Sequence, residues 1–113
     1  MDSIDKAVFD ELKETAGAEF VAELVDTFLE EAPQMLADLK SARAAADAER
    51  YRRVAHSLKS NGNTFGAKDF AAQARSIELG GLAADPAQDA KAIAALEAAY
   101  QQAAVALKVL AHG

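Results

Sequence analysis

An all-α fold is what the sequence predicts: an antiparallel up-down-up-down bundle of four helices, preceded by a short extra helix at the N-terminus. Three observations carry that expectation. Alanine supplies 29 of the 113 residues while valine, isoleucine and threonine together supply 12, a balance that favours helices because β-branched side chains suit sheets. Apolar residues recur at steps of three and four over long stretches, the seam of a bundle helix. Turn and capping residues at Asp47, Gly66, Gly80-Gly81 and Asp85-Pro86 leave only short loops, which join antiparallel neighbours.

Taken in order, Ser3 is placed to cap the first helix, with Lys6 where a capping box would prefer an acid. Ile4, Val8, Phe9 and Leu12 then form an apolar stripe that should end near Gly17, too short to be stable alone. From about Ala18 to Ala46 a long helix is expected, with Val21, Val25, Phe28, Ala32, Met35 and Leu39 as its seam and an acidic opposite face. Pro33 interrupts it at a cost of roughly 3 kcal/mol. Because the seam continues in phase across Pro33, one kinked helix is expected rather than two. Asp47 caps the next helix and Glu49 lies favourably near its N-terminal dipole. That helix runs to about Asn63, and Gly66 supplies the turn. Ala67 opens a fourth helix in which Phe70, Ala74 and Ile77 face inward and which Gly80-Gly81 ends. Asp85-Pro86 starts the last one, where Ile93, Leu96, Tyr100, Ala103, Leu107 and Leu110 step by three and four.

The length suits one domain, 1–113, with a single core. No apolar run approaches the roughly 20 residues needed to span a bilayer, and Met1-Asp-Ser-Ile-Asp has neither the basic nor the apolar region of a signal peptide. Cysteine is absent, so disulfides, thiolate metal sites and a cysteine nucleophile drop out. A soluble, cytoplasmic protein is expected. The net charge of −6 is unevenly spread: residues 1–39 hold eleven acids against two lysines, whereas residues 50–75 hold six Lys/Arg against Asp69 alone. The acidic remainder argues against nucleic acid or an anionic membrane as partner, and the basic island argues for an acidic or phosphorylated one.

The basic segment contains the only internal histidine. At about 100° per residue, Tyr51, Val54, Ala55, Leu58, Gly62 and Phe65 fall on one side of its helix, whereas His56, Lys59, Ser60 and Asn63 cluster on the other. His56 is about half a turn from the apolar centre at Leu58, so it should reach solvent. An exposed imidazole can use a free ring nitrogen as a nucleophile, and Lys59, one turn on, can steady incoming negative charge. Metal and hydrolase readings find no support. Di-iron bundles need Glu-x-x-His pairs, but Arg53 and Val109 stand three before His56 and His112. Neither a phosphate-binding G-x-x-x-x-G-K-[ST] loop nor a G-x-S-x-G elbow occurs. No metal is expected in this chain, and His112, near the end, is assigned no role.

The pattern His56-x-Leu58-Lys59, a small residue at Ser60, Gly62, and then Gly66-Ala67 resembles the signature of histidine-containing phosphotransfer (HPt) domains. The resemblance extends upstream over Phe20 to Pro33 and downstream to Ala74, Ile77 and Glu78. It implies that His56 is a phosphoacceptor in a two-component phosphorelay. His56 would take the group from a receiver-domain aspartate and give it to another, with Lys59 stabilising the phosphoryl oxygens. Glu78 stands where the family places a glutamine or glutamate bonded to the far ring nitrogen; there it would hold the proton on Nδ1 and leave Nε2 to attack. The implied partners are response-regulator receivers and a hybrid histidine kinase. Mg²⁺ would belong to the receiver alone, and the chain would act as a monomer without kinase activity of its own. A helical adaptor that keeps the binding surface but transfers nothing is the alternative. Ser60 departs from the family's usual glycine: its side chain either crowds the approach or donates a hydrogen bond to the phosphoryl group. Asn63 and Lys68 would complete the polar rim. By the same analogy Ile4, Val8 and Phe9 of the first helix would join the partner-docking surface.

Overall fold

A computed structural model describes residues 3–112. Among them there are five helices, α1 (Lys6–Ala16), α2 (Ala18–Ala44), α3 (Ala48–Phe65), α4 (Lys68–Gly80) and α5 (Pro86–His112), and no strand. Helix α2 packs on α3 and α5, and α4 packs on the same two, which closes a four-membered ring; α1 lies against α2 and α3. The all-α bundle with its extra N-terminal helix is thus the observed fold. No described helix is long and apolar enough to cross a membrane.

Phe28 of α2 is the hub of the core. Its ring lies 5.5 Å from Phe65 of α3, 5.9 Å from Phe70 of α4 and 5.8 Å from Tyr100 of α5, centroid to centroid. Around it most of the expected seam residues are buried, with Val8, Leu12, Val54 and Leu110 half-buried at its edge and one correction in α2, where Leu36 rather than Met35 completes the run after Ala32. A step of four stays closer to the 3.6-residue period than a step of three does, so Leu36 points inward and Met35 is half-buried at the edge. Pro33 lies within the single helix α2, as the unbroken seam implied. Burial, and then the nearby Asp89 carboxylate, pushes the Tyr51 hydroxyl up to about 12. Asp89 is itself buried, accepting from Ala83 N at 2.9 Å and pairing with Arg43 at 3.2 Å, which ties the α4–α5 loop to α2.

The helix ends correct the sequence expectation in three places. The cap of α1 is Asp5, not Ser3: its Oδ1 accepts from Ala7 N at 3.1 Å and Val8 N at 3.4 Å. Asp5 is preferred because its other groups are engaged as well. Oδ2 pairs with Lys68 at 2.6 Å and the backbone N donates to Gly66 O at 2.7 Å, so the cap also fastens α1 to the α3–α4 turn. Helix α3 runs two residues past Asn63, because Phe65 must keep helical register to reach Phe28. Helix α2 stops at Ala44, two residues before the expected end. There Asp47 N donates to Ala42 O and Ala46 N to Arg43 O, the paired bonds of a Schellman motif. That motif puts Ala46 at φ 54, in the left-handed region where a Cβ is unfavourable. Ala46→Gly is therefore expected to raise stability by about 0.5–1 kcal/mol, read as a higher urea midpoint at unchanged slope.

Candidate functional site

Helices α3 and α4 approach closely because Gly62 has no side chain. A Cβ there would meet Phe70 Cδ2 at 2.8 Å and Ala71 Cβ at 3.2 Å, inside contact distance. Gly66, at φ 78, then reverses the chain; a Cβ on it would lie 2.8 Å from Asp5 O. These two glycines set how α4 lies against α3, with Ile77 buried in the core and Glu78, the next residue, at its edge.

In that arrangement Glu78 bridges two residues of α3. Its Oε2 is 2.7 Å from His56 Nδ1, and its Oε1 accepts from Lys59 Nζ at 2.8 Å. The His56 side chain is 57% exposed and that of Glu78 only 16%, so the imidazole stands in solvent while the carboxylate it contacts is sheltered. The hydrogen bonds from Lys59, and secondly from His56, hold the Glu78 carboxyl below its ordinary value. With a folded value below the unfolded one, the stabilisation is complete above the ordinary glutamate range. It is lost as pH falls through the depressed value. An ionised carboxylate can only accept, so Nδ1 carries the ring proton and, in the neutral imidazole, Nε2 keeps its lone pair.

The other expected site residues divide. Ser60 is exposed one turn after His56; its carbonyl accepts from Thr64 Oγ1 at 3.0 Å, and its hydroxyl makes no hydrogen bond among the described residues. Asn63 and Lys68 share with Lys59 a groove of about 590 Å³ between α3 and α4. Ile4 and Phe9, by contrast, are 3% and 0% exposed and belong to the core. They cannot offer themselves to a partner without α1 detaching. Val8 is half-buried against the Gly66 turn, ten residues from His56 or roughly 15 Å along α3. The docking role expected of Ile4 and Phe9 is therefore corrected, because their burial in the core makes them structural. Arg75 and Leu79, which line the same groove as Lys59, were not singled out by sequence. Their signal was Leu79, an apolar residue two positions out of phase with the buried Ile77. Among the described residues no three His, Asp or Glu side chains gather as metal ligands, and His112 lies 2.8 Å from Asp26 instead.

Residues 23–106 match the family model of the Hpt domain. Neither the curated proteins nor the solved structures yield a match. Hpt domains are phosphotransfer carriers rather than kinases, and they interact with receiver domains and kinases. The matched segment spans most of the chain and holds all of α3 and α4, with the exposed histidine and the carboxylate that faces it. The chain belongs to the Hpt domain family of two-component phosphorelays.

Proposed function

We propose that His56 accepts a phosphoryl group from the aspartyl phosphate of one receiver domain and gives it to the aspartate of another. The observation that carries this reading is the 2.7 Å contact between His56 Nδ1 and Glu78 in a ring otherwise open to solvent. In the forward step the Nε2 lone pair attacks phosphorus, the new N–P bond forms, and the acyl O–P bond breaks to release the receiver's aspartate as a carboxylate. No proton need leave the ring, since Nδ1–H stays on Glu78, which also stabilises the developing imidazolium charge. Lys59 reaches the phosphoryl oxygens by turning from Glu78 Oε1, one helical turn away from His56. Ser60 offers a rotatable hydroxyl on the same face. The chain brings no cofactor; Mg²⁺ at the receiver's carboxylates neutralises charge during transfer. It works as a monomer in the cytoplasm, shuttling between receivers, including that of a hybrid histidine kinase.

Incubation with a receiver carrying labelled aspartyl phosphate is expected to place acid-labile, alkali-stable label on this chain. A wild-type protein that binds receivers yet takes no label is the adaptor, and the transfer reading fails. Glu78→Ala is expected to slow single-turnover transfer about 10- to 100-fold. A charge-assisted hydrogen bond contributes roughly 1.5–3 kcal/mol, and each 1.36 kcal/mol is about tenfold in rate. An unchanged rate would show that the imidazole needs no orienting carboxylate.

A further inference from the structure

The two flanks of His56 differ in their unpaired charges. On the α2 side, Asn61 Nδ2 lies 3.9 Å from Met35 Sδ and Arg50 3.4 Å from Asp38, so this column of α2 runs beside α3. Glu31, one turn before Met35, is exposed on the same column. Carboxylates at Glu31 and Asp38 thus border that flank. On the α4 side lies the groove of about 590 Å³ lined by Lys59, Asn63, Lys68, Arg75 and Leu79, with no carboxylate in its lining. Lys59 is held by Glu78 and Lys68 by Asp5, whereas Arg75 makes no ion pair among the described residues. Leu79 is 71% exposed, the largest exposure of any bulky apolar side chain described. A free guanidinium and an uncovered leucine therefore stand one helical turn apart on α4, and Leu79 is the neighbour of the residue that holds His56.

We propose that the receiver docks in this α3–α4 groove, with Leu79 as apolar anchor and Arg75 bonding the carboxylates around the receiver's phosphoaspartate. The inference rests on the phosphotransfer reading of His56 for the nature of the partner, and on charge complementarity for its position. Mg²⁺ offsets only part of the charge on a phosphoaspartate and its neighbouring carboxylates, so the receiver's pocket keeps a net negative charge. A guanidinium fork matches it in geometry and sign, whereas Glu31, which makes no ion pair among the described residues, repels it; Asp38 is offset by Arg50 at 3.4 Å. The groove starts at Lys59, one helical turn from His56. In a chain of net charge −6, such a local cationic site orients the partner as well as attracting it.

The test titrates the receiver that binds the wild-type chain most tightly onto Arg75→Glu, Leu79→Ser, Glu31→Lys and, as a distant control, Val105→Ser on α5. Arg75→Glu and Leu79→Ser are each expected to raise Kd about tenfold or more, as loss of an anchor does. The receiver concentration for half-maximal transfer should rise in parallel, with the limiting rate held within about twofold. Added salt should narrow the gap between wild type and Arg75→Glu. Val105→Ser should bind as wild type does, and Glu31→Lys at least as tightly. Wild-type affinity in both α4 variants, or a loss confined to Glu31→Lys, overturns the docking site. Direct binding does not require transfer. Weakened binding by the α4 variants together with an unlabelled wild type would therefore retain the docking surface and reject the transfer reading. Normal labelling with unweakened α4 variants would do the reverse.

Discussion

His56→Gln is expected to take no acid-labile label from any phosphorylated receiver, a loss limited only by the sensitivity of the assay. The reason is chemical: the glutamine amide has no basic lone pair on nitrogen, so the N–P bond cannot form. The fold should be indifferent, because the imidazole is 57% exposed and surface substitutions cost within about 0.5 kcal/mol. Matching thermal unfolding curves for the two proteins would establish this. Glutamine can also still donate toward Glu78, so Lys59 and its partner stay in place. The other histidine, His112, is held by Asp26 at 2.8 Å in the last turn of α5. Label that persists in His56→Gln and disappears in His112→Gln would move the phosphoacceptor there and overturn the assignment. Label that persists in both would point to a lysine.

Phe28→Ala should be the most damaging single truncation in the core. The ring is 4% exposed and meets an aromatic ring on each of α3, α4 and α5, so its removal leaves a cavity where all four bundle helices converge. A buried Phe→Ala change costs about 3–5 kcal/mol through lost transfer energy and the residual cavity. Three edge or tilted ring contacts add to the upper end. Against a typical domain stability of about 5–15 kcal/mol, the melting temperature should fall on the order of 10–20 °C. Unfolding followed by circular dichroism measures it. A loss below about 1 kcal/mol would mean that the core closes over the site and that Phe28 is not its hub.

Much of this protein is written locally. Which residues form helices, and where four of the five begin or end, follows from interactions within a turn or two. Asp47 bonds Arg50 N at 3.1 Å, Gly66 adopts its left-handed φ, and Asp85 bonds Ala87 N at 3.0 Å ahead of Pro86. The shared face of His56, Lys59, Ser60 and Asn63 is likewise a matter of helical period, legible without any partner helix. The choice between two competent caps was not legible. Ser3 and Asp5 are both able to accept from a helix terminus, and Asp5 prevails through Lys68 and Gly66, more than sixty residues away in sequence. Family analogy gave Ile4 and Phe9 to a docking surface, and only the packed bundle shows both buried in the core. Leu36 rather than Met35 turns inward because a step of four from Ala32 keeps closer to the helical period than a step of three.

The site divides along the same line. Sequence period placed His56 and Lys59, and resemblance pointed to Glu78, but the 2.7 Å contact spans 22 positions of chain. It exists because Gly62 lets α4 come close enough. Arg75 and Leu79 acquire meaning only from that same contact, which sets them on the wall of a groove that Lys59 enters from the other helix. Hydrogen bonds within a helix close over four residues and depend on little else, so element type and facing were determined by the sequence alone. The rotation and spacing of one helix against another depend on side chains brought together from distant segments, and only the tertiary structure decided which residues stand beside His56.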